Sequence, residues 1–477
     1  MHTLSPEPAA ESAAAPATEW LPRLEAVEGF TGQLGQAIEQ LVEAVIELRT
    51  AAAPAPEGAG TPEALLKRVQ QLEGQWQLQQ TLADLERVSR FHPKTRSVVF
   101  VGTTYFGCNV KYGWLAFREQ ARREGIALWW LPQTEQQQRD VLALGERCFP
   151  LNPAEWSAEH VSAALQAAVV VACDHLLNPN PYVPALLAGA RTVQLWHGVS
   201  IKEIGLGNRP GLKQMNARVA RVLATTGPFS RFIGTSASQE ADFRRWFGLQ
   251  RYEPIGYPRN DVLLREPTPE DLLNTDAATL QAMREARTAG RRVALYAPTF
   301  RDARRGVWII EAGLDRVARE LQQRGDLLVV ALHPVEAPML PQLAPALPGV
   351  RFVAPRTDLY PLLREASALI TDYSSVMFDY LLLDRPVLLF RPDHRDYQAS
   401  SRTLDERKLD PLPGPVLADA DALLAQLRPK ALAEDRRAAD RRRLRQQLHD
   451  HLDGRSGERL TALLLDELSL ALAATPH

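Results

Sequence analysis

From residue 97 onward, short apolar runs alternate with stretches of helical periodicity. "SVVFVG" (97–102), "IALWWL" (126–131), "AAVVVAC" (167–173) and "TVQLW" (192–196) are apolar almost without interruption, as strands buried on both faces are. A connecting region comes next; it includes "YEPIGYPRNDVLL" (252–264), whose glycine and prolines predict an ordered loop. A second series then runs "RVALYA" (292–297), "LLVVAL" (327–332), "VRFV" (350–353), "ALIT" (368–371) and "VLLF" (387–390). Such alternation predicts βαβ units and parallel sheets, so the chain reads as α/β with two doubly wound, Rossmann-like domains at 91–265 and 266–454.

The flanks read differently. Residues 1–21 are Ala/Pro-rich and are expected to be disordered. Between 22 and 50, Val27, Leu34, Leu41 and Leu48 recur every seven residues with Ile38 and Val45 between them, predicting an amphipathic helix. After the linker 51–63, Leu65, Val69, Leu72 and Trp76 open a second helix that runs to about Arg90. The extension 22–90 is either a helical hairpin or a partner-binding coiled coil mediating self-association. The last stretch, 455–477, reads as a C-terminal helix, preceded by the Arg-rich "DRRAADRRRLRQQ" (435–447).

Composition narrows the function classes. A hydrophobic fraction of 45% with 23% charged residues is that of a soluble globular chain, and a net charge of −2 gives no general case for nucleic-acid binding. Cys108, Cys148 and Cys173 lie far apart without a CxxC, which argues against a disulfide framework or zinc site and fits a reducing cytoplasm. No signal pattern and no run of spanning length is present, so any membrane is expected to be met peripherally, from its inner face.

In open α/β sheets ligands bind outside the carboxyl ends of the strands, so the residues just past each predicted strand are informative. In the first series these are Gly102-Thr103-Thr104, Asp174-His175 and His197-Gly198. In the second they are Thr299 and Arg301, His333, Arg356, and Asp372 through Ser375. Two histidines, arginines and a serine pair brought to one edge by topology predict a site. Ser374 or Ser375 is expected to cap the next helix, and the free N–H groups there suit a phosphate as well. "DAD" (419–421) opens an Ala/Leu helix and reads as a cap. Walker, GxGxxG, GxSxG and HExxH motifs are absent.

"FGCNVKYGWLAF" (106–117), "QLWHGVSIKEIG", "GYPRNDVL", "YAPTFRD", "HP", "LITDYSSVMFDY", "LPGPV" (412–416) and "DGRSGERL" (453–460) stand in the order seen in the CDP-glycerol glycerophosphotransferases. The chain resembles that family, which includes teichoic-acid primases and polymerases, over about residues 97–475. The resemblance implies a GT-B architecture, two Rossmann-like domains facing across a cleft. It implies transfer of glycerol phosphate from CDP-glycerol to a hydroxyl of a glycan or lipid-linked envelope acceptor, of teichoic-acid or capsule type, with release of CMP. His197 matches the family's candidate general base, and His333, Asp372, Ser374 and Ser375 match residues around the donor phosphates. Through the matched motifs it extends substrate binding to Asn109, Lys111, Gly198, Lys202, Arg259, Asp261, Thr299, Arg301 and Asp379, while Arg356 is a binding candidate by its place past the strand at 350–353. Val199-Ser200 departs from the Thr-Pro often found after Trp-His-Gly, which leaves the acceptor open.

The residue types suit such chemistry. An imidazole can take the proton of an attacking hydroxyl, and fixed donors can stabilise a leaving phosphate. His333, Arg301 and a helix N-terminus could do this without a metal, so neither metal nor cofactor is expected. The alternatives are a GT-B transferase using another activated polyol phosphate or a nucleotide sugar, and a non-catalytic GT-B scaffold. Arg436, Arg437, Arg441, Arg442, Arg443 and Arg445 are the candidate contact with an anionic membrane surface.

Overall fold

The computed structural model describes residues 62–174, 180–201, 204, 229–247, 249, 251–301, 306–395, 397 and 406–474. The helix expected at 22–50, the Ala/Pro-rich tail, His175 and Lys202 lie outside the described residues. Two compact units are distinguished, Met1–Thr81 with Met215–Gly227, and Leu82–Gln214 with Pro228–His477; both sheets belong to the second unit.

Both predicted series are parallel sheets. The first contains β1 (Ser97–Val101), β2 (Ala127–Leu131), β3 (Arg147–Cys148), β4 (Val169–Ala172), β5 (Arg191–Gln194), β6 (Arg231–Ile233) and β7 (Tyr252–Glu253), in spatial order β3-β2-β1-β4-β5-β6-β7. The second contains β8 (Val293–Ala297), β9 (Leu327–Val330), β10 (Val350–Phe352), β11 (Ala368–Thr371), β12 (Val387–Phe390) and β13 (Val416–Leu417), in order β10-β9-β8-β11-β12-β13. Each order reverses once, between β1 and β4 and between β8 and β11, and a doubly wound sheet opens its ligand crevice at that reversal. This is the GT-B-like architecture expected from the sequence.

The central strands are buried on both faces because their runs are continuously apolar; Val98, Val99, Phe100, Val169, Val170 and Val171 are wholly inaccessible. Helix Cys108–Arg123 covers one face of the first sheet, its Trp114 meeting Trp130 of β2 edge-on at 5.5 Å between ring centroids. The chain's last helix, Ser456–Ala473, returns from the second sheet to lie on the first. Leu460, Leu464 and Leu468, four residues apart, form the stripe that joins this core. Buried Glu467 holds Arg191 of β5 at 2.6 Å and Arg231 of β6 at 3.1 Å.

Four strands are additional to the prediction. β3, β6, β7 and β13 have only two or three residues each and carry no continuous apolar run. Tyr252–Glu253, read from sequence as loop, pairs with Phe232 and Ile233.

Candidate functional site

Beyond β5 the chain leaves the first sheet through Leu195, Trp196, His197 and Gly198. Trp196 adopts φ +51, a left-handed conformation rare for a bulky residue, and Gly198 comes two residues later at φ +145. Surrounding groups hold this turn. The Trp196 ring packs among Phe232, Phe243 and Phe247 and stacks on His197 at 4.3 Å. Asn109 donates to the Trp196 carbonyl at 2.9 Å, and Arg259 Nη2 to the His197 carbonyl at 2.9 Å.

The imidazole of His197 is exposed, with Nδ1 lying 3.0 Å from the carbonyl oxygen of Cys173, just past β4. A backbone carbonyl can only accept, so Nδ1 carries the proton and neutral His197 keeps a lone pair on Nε2. His333, beyond β9, has the opposite polarity. Its Nδ1 accepts from Val335 N–H at 3.2 Å, which leaves Nε2–H of the neutral ring as a donor.

At the reversal of the second sheet, Thr299 beyond β8 meets Asp372 beyond β11. The fully buried Asp372 carboxylate accepts from Thr299 N–H and Oγ1–H, both at 2.9 Å, and pairs with Arg301 Nη2 at 3.0 Å. Arg301 also grips Asp393 through Nε at 2.6 Å and Nη2 at 2.9 Å, and Nη1 donates to Thr299 O and Oγ1, each at 2.8 Å. All five guanidinium N–H groups thus meet protein oxygens. Burial works against the charge, yet the Asp393 and Asp372 carboxylates push the Arg301 pKa above its ordinary value. In this structure the polar atoms of Arg301 and Asp372, both expected to bind substrate, brace each other at the crevice.

The next two residues, Ser374 and Ser375, differ. Ser375 sits at φ −62, ψ −17 before the short helix Val376–Tyr380 and makes no side-chain cap bond, which corrects the capping role expected of it. Among the described residues, the hydroxyls of Ser374 and Ser375 meet no hydrogen-bond partner, and both side chains are partly exposed. A Cβ built on Gly198 would lie 2.9 Å from Ser375 Oγ, so the His197 turn and the serine pair face each other between the sheets. Arg356, beyond β10, is exposed at φ +59, its carbonyl receiving Asn274 Nδ2 at 2.9 Å.

Several residues expected to bind substrate have buried protein partners in this structure, and those of Asp379 and Lys111 join the two sheets. Asp379 collects Arg259 Nη2 at 2.7 Å, Asn260 Nδ2 at 3.0 Å and Tyr360 OH at 2.5 Å. Lys111 is wholly buried and donates to Asp358 Oδ2, Asp271 O and Leu273 O at 2.6–2.8 Å, using all three ammonium protons. Asn109 accepts from Arg259 N–H at 3.2 Å in addition to anchoring Trp196. Both oxygens of Asp261 accept N–H groups of Ser456 and Gly457 at the start of the last helix, at 3.0 and 2.8 Å. Burial, only partly offset by these bonds, raises the Asp261 pKa.

Cys173, Cys108, Asp358, Tyr360 and Asp393 were not singled out from the sequence. Each acts through a partner on a distant segment, for which a single sequence carries no local signal. The Asp419 cap was legible, its side chain accepting from Ala422 N–H at 2.8 Å. The arginine cluster is largely paired: Arg441 is buried against Asp384 and Asp435, Arg442 meets Asp384, Arg437 meets Asp440 and Arg436 meets Glu434. No helix among the described residues is long and apolar enough to cross a membrane.

A family model described as CDP-glycerol:poly(glycerophosphate) glycerophosphotransferase matches residues 86–466. The teichoic acid poly(glycerol phosphate) polymerase of Staphylococcus epidermidis is 30% identical over 259 residues, 50% of this chain and 33% of that protein. The teichoic acid glycerol-phosphate transferase of Staphylococcus aureus is 27% identical over 255 residues, 50% of this chain and 61% of that one. A teichoic acid ribitol-phosphate primase of Bacillus spizizenii is 27% identical over 314 residues, 60% of this chain and 74% of its own. The matched part therefore spans 33% and 61% of the first two relatives. The solved wall teichoic acid polymerase TagF superposes with a TM-score of 0.61 at 20% identity, covering 87% of this chain and 100% of that chain, a likeness of fold. With four-fifths of its length inside the family model, the chain belongs to the CDP-glycerol:poly(glycerophosphate) glycerophosphotransferase family.

Proposed function

We propose that this chain transfers glycerol phosphate from CDP-glycerol to a hydroxyl of a glycan or lipid-linked envelope acceptor and releases CMP. The observation that carries this reading is His197, exposed beyond β5 with its Nδ1–H fixed on the Cys173 carbonyl, in the turn whose Gly198 faces Ser375. The acceptor oxygen attacks the β-phosphorus of the donor while its proton passes to His197 Nε2. The bond from that phosphorus to the bridging oxygen breaks, and CMP leaves with the electron pair. A positioned base of this kind contributes about 10²–10⁴-fold. The Ser374 and Ser375 hydroxyls and His333 Nε2–H are donors suited to the phosphate oxygens, where charge grows as the bridge breaks.

In this reading the domain at 91–265 takes the acceptor and that at 266–454 the donor. Thr299 and Arg301 support the donor side through Asp372, Asp379 and Arg259 fix the two sides relative to each other, and Arg356 is free to meet donor charge. A lipid-linked acceptor would bring the enzyme to a membrane's inner face, and a glycan acceptor would not; self-association is assigned to the N-terminal helices.

A ribitol-phosphate primase among the relatives favours CDP-ribitol as the second reading. Incubating the full chain with each CDP-polyol and extracted envelope lipids, then tracking CMP and the product's mass, decides between them. CMP release with CDP-glycerol, and a product heavier by glycerol phosphate, is expected. Release with CDP-ribitol alone would shift the donor, and release from neither would overturn the transferase reading.

A further inference from the structure

Cys108 and Cys173 meet directly beneath His197, with the Cys173 thiol donating to Cys108 Sγ at 3.5 Å. Arg259 Nη1 lies 3.2 Å from the same Cys108 sulfur, and the Val110 N–H donates to Cys173 Sγ at 3.1 Å. Both cysteines are buried free thiols on separate segments, one opening helix Cys108–Arg123 and the other just past β4. The pair also carries both anchors of His197. Its Nδ1–H rests on the Cys173 carbonyl, while Arg259, which touches Cys108, holds the His197 carbonyl.

We propose that Cys108 and Cys173 are an oxidant-sensitive dithiol, closed to a disulfide by a peroxide and reopened by a thiol reductant. The two sulfurs have distinct roles. The hydrogen bond from Cys173 pulls the Cys108 thiol down to about 6 against its burial, with Arg259 adding to the effect, whereas burial pushes Cys173 up. Cys108 is therefore the attacking thiolate and Cys173 the resolving thiol. The thiolate takes one peroxide oxygen, the O–O bond breaks and hydroxide leaves, giving a sulfenic acid at Cys108. The Cys173 sulfur then attacks the Cys108 sulfur, the S–S bond forms, and the sulfenic oxygen leaves as water with the Cys173 proton. The two thiols lose two electrons and the peroxide, reduced, ends as two waters. Cys148, buried with its thiol pushed up to about 12, is the unreactive internal control.

Closure shortens the sulfur separation from 3.5 Å to about 2.05 Å and removes the thiolate that faces Arg259. Both changes act on groups that hold His197, so the disulfide form loses transfer activity; this coupling rests on the proposed function, whereas the dithiol chemistry does not.

Reduced full-length protein is treated with hydrogen peroxide, alkylated and mapped by peptide mass. The expected result is a Cys108–Cys173 cross-linked peptide pair, Cys148 alkylated, and reversal by dithiothreitol. Alkylation at both Cys108 and Cys173 after peroxide would overturn the proposal. In Cys173→Ser, which keeps a donor toward Cys108 but cannot form the disulfide, dimedone should trap a sulfenic acid at Cys108, and trapping at Cys148 instead would also overturn it. The rate of CMP release should fall by on the order of tenfold or more on oxidation and return on reduction, as expected when a base is displaced. An unchanged rate in the cross-linked form would sink the coupling to His197. A reduced chain inert toward CDP-glycerol that still gives the cross-linked peptide would retire the transferase reading and leave the dithiol standing.

Discussion

Gly198 approaches Ser375 so closely that a Cβ on the glycine would lie 2.9 Å from the serine hydroxyl oxygen and 3.2 Å from its Cβ. The glycine is also held at φ +145, where an L side chain is strained by about 1–3 kcal/mol. Gly198→Ala should therefore lower both the melting temperature and the affinity for CDP-glycerol. Gly125→Ala is the control: it shares positive φ, at +63, but nothing lies within 4 Å of its Cβ. Thermal scans with donor titrations should show that variant losing stability alone.

Ser375 makes no cap bond, so its hydroxyl is free to serve a ligand. Ser375→Ala should leave the melting temperature unchanged while weakening CDP-glycerol binding by about 1.5–3 kcal/mol, roughly ten- to a hundredfold in Kd. Calorimetric titration beside a thermal scan checks this; lost stability with intact affinity would return the serine to a structural role.

Lys111 and Asp358 are both wholly inaccessible and 2.8 Å apart. Removing one charge leaves the other buried and unpaired, at about 3–5 kcal/mol. Lys111→Met should show that loss in denaturant unfolding. If it folds as stably as the wild type and loses only donor affinity, Lys111 is a substrate ligand after all.

His449 is buried, with Nε2 at 2.9 Å from the Phe378 carbonyl, and burial lowers its pKa below 6.5. The unfolded chain, titrating near pH 6.5, then binds more protons than the folded one between the two pKa values. His449's contribution to stability is thus full above about pH 6.5 and declines as pH falls through that value, levelling off below the folded pKa. His449→Gln, which keeps a donor near Phe378, should flatten the stability profile between pH 5 and 7, about the range over which histidine titrates. An unchanged slope would contradict the assignment.

The long apolar strands were legible because burial on both faces writes itself as an unbroken run, as in "AAVVVAC". β7 and β13 were not, since two residues carry no pattern. The strand-end rule likewise led to His197, His333 and the serine pair, as topology alone decides which loops share an edge. It could not tell which polar groups face the crevice. Arg301 and Asp372 neutralise each other, and Asp261, taken from the matched motifs, caps a helix that begins at Ser456. Those partners are set by tertiary contact between segments far apart in the chain.

The central claim is that His197, aligned by Cys173, removes the acceptor's proton. The most direct measurement is single-turnover CMP release from CDP-glycerol by His197→Ala, with donor affinity measured on the same preparation. Turnover about 10²–10⁴-fold below the wild type with donor affinity retained is the predicted result. Turnover near the wild-type rate would contradict it.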